Sequence, residues 1–220
     1  MTLDIKICGL KTREMLDVAL SNGASHIGFI FFEKSPRNIS LPQAVSLRDC
    51  VHGQVQIVTV TVDADNMLLD EIVHQIKPDL LQLHGVETPR RVAEIRNRYK
   101  LPVMKAFAIH NKSDLQNIVP YLGITDRILF DAKAPKEALQ PGGNGVSFDW
   151  QMLDMLDKGI DYVLSGGLNA DNIAEALAMT RARGVDVSSG VEKEPGVKDV
   201  DLIKAFFAAI RKFRTGANEI

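Results

Sequence analysis

The stretch D-Y-V-L-S-G-G-L-N at residues 161–169, followed by G-V-D-V-S-S-G at 184–190, decides how this chain folds. Each half is a short apolar run that ends in small residues. Between them Ala170 to Met179 has helical character behind a cap expected at Asn169 or Asp171. The order is strand, Gly-rich turn, helix, strand, Gly-rich turn. Glycine lets the backbone approach a ligand closely, and free N–H groups at a helix start favour an anion. One S-G-G alone would mark a tight turn. Two such turns in series, with Gly166 and Gly167 in one and Ser189 and Gly190 in the other, form a grip for phosphate. The last two loops of a (β/α)8 barrel supply such a pair.

Working outward, eight strand-like runs occur: Asp4–Cys8, His26–Phe31, Gln54–Val62, Leu80–His84, Val103–Ala108, Arg127–Asp131, Asp161–Ser165 and Val185–Ser188. Segments of helical period lie between most of them, among them Arg13–Ser21, Asn66–Ile76 and Pro89–Tyr99, and Asp201–Phe213 follows the last. Regular alternation implies a parallel sheet, and eight units favour closure into an α/β TIM barrel. An open doubly wound sheet would want G-x-G-x-x-G after its first strand, and C-G-L-K-T is not one. The 220 residues suit a single (β/α)8 domain over positions 1–220. One interval is too long for an ordinary connection. Ala132 to Ser147, rich in Gly and Pro, has the length of a lid over an active site.

Composition narrows the class of function. A chain 45% hydrophobic and 25% charged is expected to be soluble and globular. Its net charge of −2 offers no general attraction to nucleic acid or to an anionic membrane. Met1 to Leu10 carries Asp4 and Lys6 and does not read as a signal peptide. No stretch reaches the roughly eighteen apolar residues of a membrane span. Cys8 and Cys50 make no metal-binding pattern, so a reduced, cytoplasmic protein without a metal is expected.

Period-two alternation indicates which side chains enter the barrel. In the first strand Ile5 and Ile7 oppose Lys6 and Cys8; in the fourth, Leu81 and Leu83 oppose Gln82 and His84. Apolar side chains at one phase would pack under helices, so the polar phase should face inward. The same logic turns Lys105, Asp131, Asp186 and Ser188 inward. A barrel filled for stability alone would carry Val, Ile and Leu there. Polar residues gathered at the C-terminal ends of strands therefore indicate a site.

Cys8 ends the first strand beside inward-facing Lys6, whose charge would favour a thiolate able to take a proton. Asp131 ends the sixth strand and begins the long loop. Desolvation there could raise its pKa and make it an acid. A base and an acid on opposite sides of a barrel mouth suit a proton-relocating isomerisation. Arg37 follows Ser-Pro, which restricts the backbone ahead of it and could hold the guanidinium for bidentate capture of a carboxylate. His84 in L-Q-L-H-G could donate a hydrogen bond at the rim. Lys105 would support Asp131 or Asp186 without a chemical step. Cys50 is structural or incidental.

These residues stand in motifs that resemble one family. K-I-C-G at 6–9, S-P-R at 35–37, Q-L-H-G at 82–85, L-F-D-A-K at 129–133, G-G-x-G-x-S-F-D-W at 142–150, L-S-G-G-L at 164–168 and D-V-S-S-G-V-E at 186–192 are similar to phosphoribosylanthranilate isomerase. They come in family order and span the chain from Lys6 to the last helix. The resemblance implies an Amadori rearrangement in tryptophan biosynthesis, with no metal or organic cofactor. N-(5-phosphoribosyl)anthranilate would become 1-(2-carboxyphenylamino)-1-deoxyribulose 5-phosphate. Asp131 would protonate the furanose ring oxygen, and Cys8 would remove the C2 proton of the opened Schiff base. Arg37 would bind the anthranilate carboxylate, and backbone at Gly166, Gly167, Ser189 and Gly190 would hold the phosphate. The loop around Gly142 and Gly143 would close nearby, with His84, Asp186 and Ser188 lining the substrate. Two departures from the family pattern stand out: Lys11 precedes Thr12 where Thr often follows the C-G pair sooner, and the segment K-A-P-K-E-A-L-Q-P is longer than in short members.

Three rival readings remain. Indoleglycerol-phosphate synthase would call for an N-terminal extension and a Lys acid in a K-x-x-S-P context. A barrel isomerase serving two pathways would show two inward Asp residues, against which Cys8 counts. A catalytically inactive sugar-phosphate sensor on the same barrel need not keep both Cys8 and Asp131. The apolar last helix suits packing or association, and packing within a monomer is the simpler expectation.

Overall fold

The computed structural model describes residues 3–51, 53–134, 138, 141–145 and 147–216. Eight parallel strands close into a barrel in sequence order. They are β1 (Asp4–Cys8), β2 (His26–Phe31), β3 (Gln56–Thr61), β4 (Leu80–Leu83), β5 (Val103–Ile109), β6 (Arg127–Ala132), β7 (Tyr162–Leu164) and β8 (Gly184–Val187). Closure is made by β8 returning to β1, with Lys6 opposite Asp186. Beyond β8 come a 3-10 turn at Ser189–Val191 and a small antiparallel hairpin of β9 (Glu192–Glu194) and β10 (Val197–Lys198).

The α-helices are α1 (Arg13–Asn22), α2 (Leu41–Arg48), α3 (Asn66–Ile76), α4 (Pro89–Tyr99), α5 (Ile173–Met179) and α6 (Val200–Gly216). Their starts are chemically marked. Thr12, Ser40, Asp65 and Thr88 each accept a backbone N–H of the first turn, and α2 and α4 carry Pro early, where no donor is lost. Thr12 thus caps α1 despite the displaced position of Thr in its motif. The helix after β7 starts later than expected. Asn169 Oδ1 instead accepts from the N–H groups of Asp171 and Asn172, and α5 begins only at Ile173. Short 3-10 helices, Lys112–Tyr121 and Trp150–Met155, replace α-helices after β5 and β6.

Two apolar layers follow from strand alternation. Cys8, Val58, Val60, Leu80, Met104, Ala106, Leu129 and Val163 fill the barrel interior. The opposite phase packs outward, as Leu81, Leu83 and Val103 do against Leu69, Val92 and Ile95 of α3 and α4. The final helix buries Ile203, Phe206, Phe207 and Ile210 against the body of the protein. Burial of each such side chain contributes about 1.5–3 kcal/mol.

This layering corrects the expectation for Lys105. Its neighbours Met104 and Ala106 occupy the interior phase, so Lys105 points outward. There its Nζ lies 3.2 Å from Glu87 Oε2 and donates to the carbonyls of Gly85 and Ala106, each at 2.8 Å. It supports neither Asp131 nor Asp186. Among the described residues no helix is long and apolar enough to cross a membrane.

Candidate active site

The C-terminal ends of the strands surround an open cavity. Cys8 enters it from β1 and Asp131 from β6, each only 4% exposed. Cys8 packs within the apolar interior layer.

On the β1 side, Lys6 Nζ donates to Asp186 Oδ1 at 2.9 Å in a buried pair. Burial works against the charge on Lys6, yet Asp186 and then Cys8 hold its pKa above the ordinary lysine value. The expected lowering of the Cys8 pKa does not follow. Burial pushes the thiol up, and the opposing pull of Lys6 is offset by the charge of Asp186. A cation already paired with a carboxylate is a weak activator.

On the β6 side, Asp131 Oδ1 accepts the Ala132 N–H at 2.9 Å, and Oδ2 lies 3.1 Å from His84 Nε2. Gln82 Nε2 is 3.1 Å from His84 Nδ1. With the Gln82 amide donating to Nδ1, the ring proton sits on Nε2 and is donated to Asp131. His84 is therefore the donor anticipated at the rim, and its partner is the acid candidate. Gln82 lines the cavity, and its Oε1 is buried with no hydrogen-bond partner among the described residues.

Arg37 is not a solvated loop residue; it is 3% exposed. Its bidentate partner is internal. Nε reaches Glu192 Oε1 at 2.8 Å, and Nη2 reaches Glu192 Oε2 at 2.7 Å and the Gly143 carbonyl at 3.0 Å. Nη1 lies against Gly143. Next to it, a Cβ on Gly142 would run into Asp131 Oδ2 and the His84 ring. These two glycines of the long loop thus lie directly over the Asp131 carboxylate and the Arg37 guanidinium. Most of the remaining lid, around 135–140, falls outside the described residues.

Gly166 and Gly167 after β7, with Ser188 and Ser189 after β8, line the same cavity, as does Asp186. Gly190 is not in the lining. A Cβ there would collide with the Leu168 carbonyl, so its small size lets the two turns pack together. Ser188 Oγ donates to the Cys8 carbonyl at 3.1 Å.

Three residues of this region went unnamed as site candidates: Gln82, Glu192 and Lys198. Gln82 was visible as an inward polar residue, and Glu192 closes the motif D-V-S-S-G-V-E. Lys198 follows P-G-V in a hairpin whose strands are too short for alternation to read. Its Nζ donates to Glu192 Oε1 at 2.6 Å, to the Ser188 carbonyl at 2.9 Å and to Ser188 Oγ at 3.2 Å. Burial brings its pKa down to about 8 against the pull of Glu192. Burial would raise Glu192, but Arg37 and Lys198 together hold it below the usual carboxylate range. Among the described residues no three His, Cys, Asp or Glu side chains converge to hold a metal ion.

Comparison with known proteins bears on the family and the fold. The family model described as N-(5'phosphoribosyl)anthranilate (PRA) isomerase matches residues 5–209. The chain is 62% identical over 212 residues to N-(5'-phosphoribosyl)anthranilate isomerase of Sinorhizobium fredii, covering 96% of this chain and 95% of that one. The Brucella canis protein of the same name is 62% identical over 210 residues, with the same coverage. Among solved structures, phosphoribosyl anthranilate isomerase from Thermotoga maritima superposes with a TM-score of 0.86 at 34% identity, covering 96% of this chain and all 100% of that one. A phosphoribosyl anthranilate isomerase in complex with reduced 1-(o-carboxyphenylamino)-1-deoxyribulose 5-phosphate gives 0.82 at 31% identity, with coverage of 96% and 100%. The chain is an isomerase built on a (β/α)8 barrel and belongs to the N-(5'-phosphoribosyl)anthranilate isomerase family of tryptophan biosynthesis.

Proposed function

We propose that this chain converts N-(5-phosphoribosyl)anthranilate into 1-(2-carboxyphenylamino)-1-deoxyribulose 5-phosphate, with Asp131 as general acid and Cys8 as general base. Asp131 protonates the furanose ring oxygen, and the ring opens to a Schiff base. Cys8 then takes the proton from C2, and the resulting enolamine tautomerises to the ketone. Only protons move, so no oxidant or group donor is required. The observation that carries the reading is one cavity with two buried proton-transfer groups facing it from β1 and β6.

The substrate's two anionic ends match the two ends of that cavity. Arg37 takes the anthranilate carboxylate, with Nη1 near the lid and the opposite edge braced by Glu192. Backbone at Gly166, Gly167 and Ser189, which line the cavity on the turns after β7 and β8, takes the phosphate. Gly190 serves that grip by packing on Leu168. A ribose hydroxyl satisfies the unpartnered Gln82 Oε1. The complex of a relative with a reduced product analogue supports a ligand of this kind.

A cytoplasmic monomer completes the reading. The apolar face of α6, which suits either packing or association, is used internally. A Thermotoga maritima relative is dimeric, so a solution mass of twice 24.3 kDa would overturn the monomer.

Turnover of freshly made phosphoribosylanthranilate, followed by loss of its fluorescence, tests the assignment. Cys8→Ser and Asp131→Asn should each lose at least about a hundredfold in kcat, since positioned proton transfer is typically worth 10²–10⁴-fold. A loss confined to one variant would reassign the other role. No turnover by the wild type, with tight phosphosugar binding, would favour an inactive sensor.

A further inference from the structure

Behind the cavity lies a buried cation that the reaction scheme does not use. Lys198 is enclosed, with its side chain 2% exposed, and its three acceptors lie on two residues. Each of those residues leads elsewhere. Ser188 Oγ donates onward to the backbone carbonyl of Cys8. Glu192 accepts the Nε and Nη2 edge of Arg37. One ammonium thus joins the end of β8, the base on β1 and the guanidinium after β2.

Charge balance separates Lys198 from the other cation near the thiol. The charges that bear on the Cys8 thiol are those of Lys6 on β1, Asp186 on β8 and, more weakly, Lys198 on β10, which reaches Cys8 through Ser188, while Asp131 and His84 stand across the mouth. Lys6 has Asp186 as a partner of its own. Arg37 and Lys198 share the single carboxylate of Glu192, so among the described residues that cluster holds one positive charge in excess before substrate binds. A buried thiol that must ionise needs an uncompensated cation close by.

We propose that Lys198 is a positioning residue for proton abstraction: it fixes Cys8 through Ser188 and Arg37 through Glu192, and it supplies the cation that the thiolate requires. The inference rests on Cys8 being the base. It also predicts a dependence that packing alone would not produce, because the thiol and the ammonium titrate in one neighbourhood.

The test uses a Cys50→Ser background, so that Cys8 is the reporting thiol. The rate of alkylation by iodoacetamide across pH measures its thiolate fraction. Lys198→Met should move that profile up by about one pH unit or more, which is a tenfold loss of thiolate. In the same variant kcat should fall by about tenfold or more with KM changed only a few-fold, the mark of an interaction used in the chemical step. Lys198→Arg should restore most of both. An unchanged alkylation profile with kcat near the wild-type value would overturn the proposal. If Lys198→Met does not fold, Ser188→Ala removes the same link from the other side. It should produce a smaller shift in the same direction, and no change in either readout would again overturn the proposal. Alkylation is read without substrate, so a wild type that fails to turn over phosphoribosylanthranilate while Lys198→Met still shifts the profile would strike the proposed function and leave only the coupling of Lys198 to the Cys8 thiol.

Discussion

Two buried lysine–glutamate pairs invite comparison. Lys105 lies 3.2 Å from Glu87 with side chains 4% and 2% exposed; Lys198 lies 2.6 Å from Glu192 with 2% and 3% exposed. Burial lowers the pKa of both lysines against the pull of their carboxylates. What differs is the set of other acceptors. Lys105 binds the carbonyls of Leu83, Gly85 and Ala106 on the outer wall, and Glu87 accepts backbone donors from Asp63 and Gly85. That pair staples the loop after β4. Lys198 binds groups that hold Cys8 and Arg37, the proposed base and carboxylate anchor. The role of a buried cation is set by what its acceptors support, and its burial alone does not reveal it.

The largest effect expected is on the wall pair. Lys105→Met leaves Glu87 buried beside no cation and should cost about 3–5 kcal/mol of stability, measured by denaturant unfolding. The kcat of its folded fraction should stay at the wild-type value. A folded Lys105→Met protein with depressed kcat would erase the contrast between the two pairs.

A smaller effect sharpens the same contrast by pH. The pKa of Lys198 is lowered to about 8 from an ordinary 10.5. Between those values the unfolded chain keeps a proton that the folded chain has lost, so this group's contribution to stability rises with pH. The rise is at most about 1.4 kcal/mol per pH unit for one proton. Activity should move the other way, falling as Lys198 loses its charge. Unfolding free energies of wild type and Lys198→Met at pH 8 to 9.5 should therefore diverge in slope, the variant lacking the rise. Equal slopes would remove Lys198 from the account.

The barrel was legible because its signals are local and repeated: segments of helical period, apolar runs and the Gly-rich turns at 166–167 and 189–190. Cys8, Asp131, Arg37 and His84 were legible because each ends a strand or stands in a quoted motif. Lys105 was misplaced for a physical reason. In M-K-A-F both phases of β5 are apolar around it, so alternation carries no sign of direction. Lys198 escaped because β10 has two residues and its partners lie in other elements. The relation of Arg37 to Glu192 spans 155 positions and leaves no periodic trace. Long-range ion pairs are a property of the closed barrel, and strand-by-strand reading stops short of them.

The central claim is that Cys8 takes the C2 proton after Asp131 has opened the ring. Substrate carrying deuterium at C2 of the ribose tests it most directly, by comparing kcat for labelled and unlabelled substrate in three proteins. The residual turnover of Cys8→Ser should show a large primary isotope effect, because proton abstraction has become limiting. Asp131→Asn should show almost none, since ring opening limits it, and the wild type should fall at or below the Cys8→Ser value. An isotope effect absent from Cys8→Ser but present in Asp131→Asn would contradict the assignment of both groups.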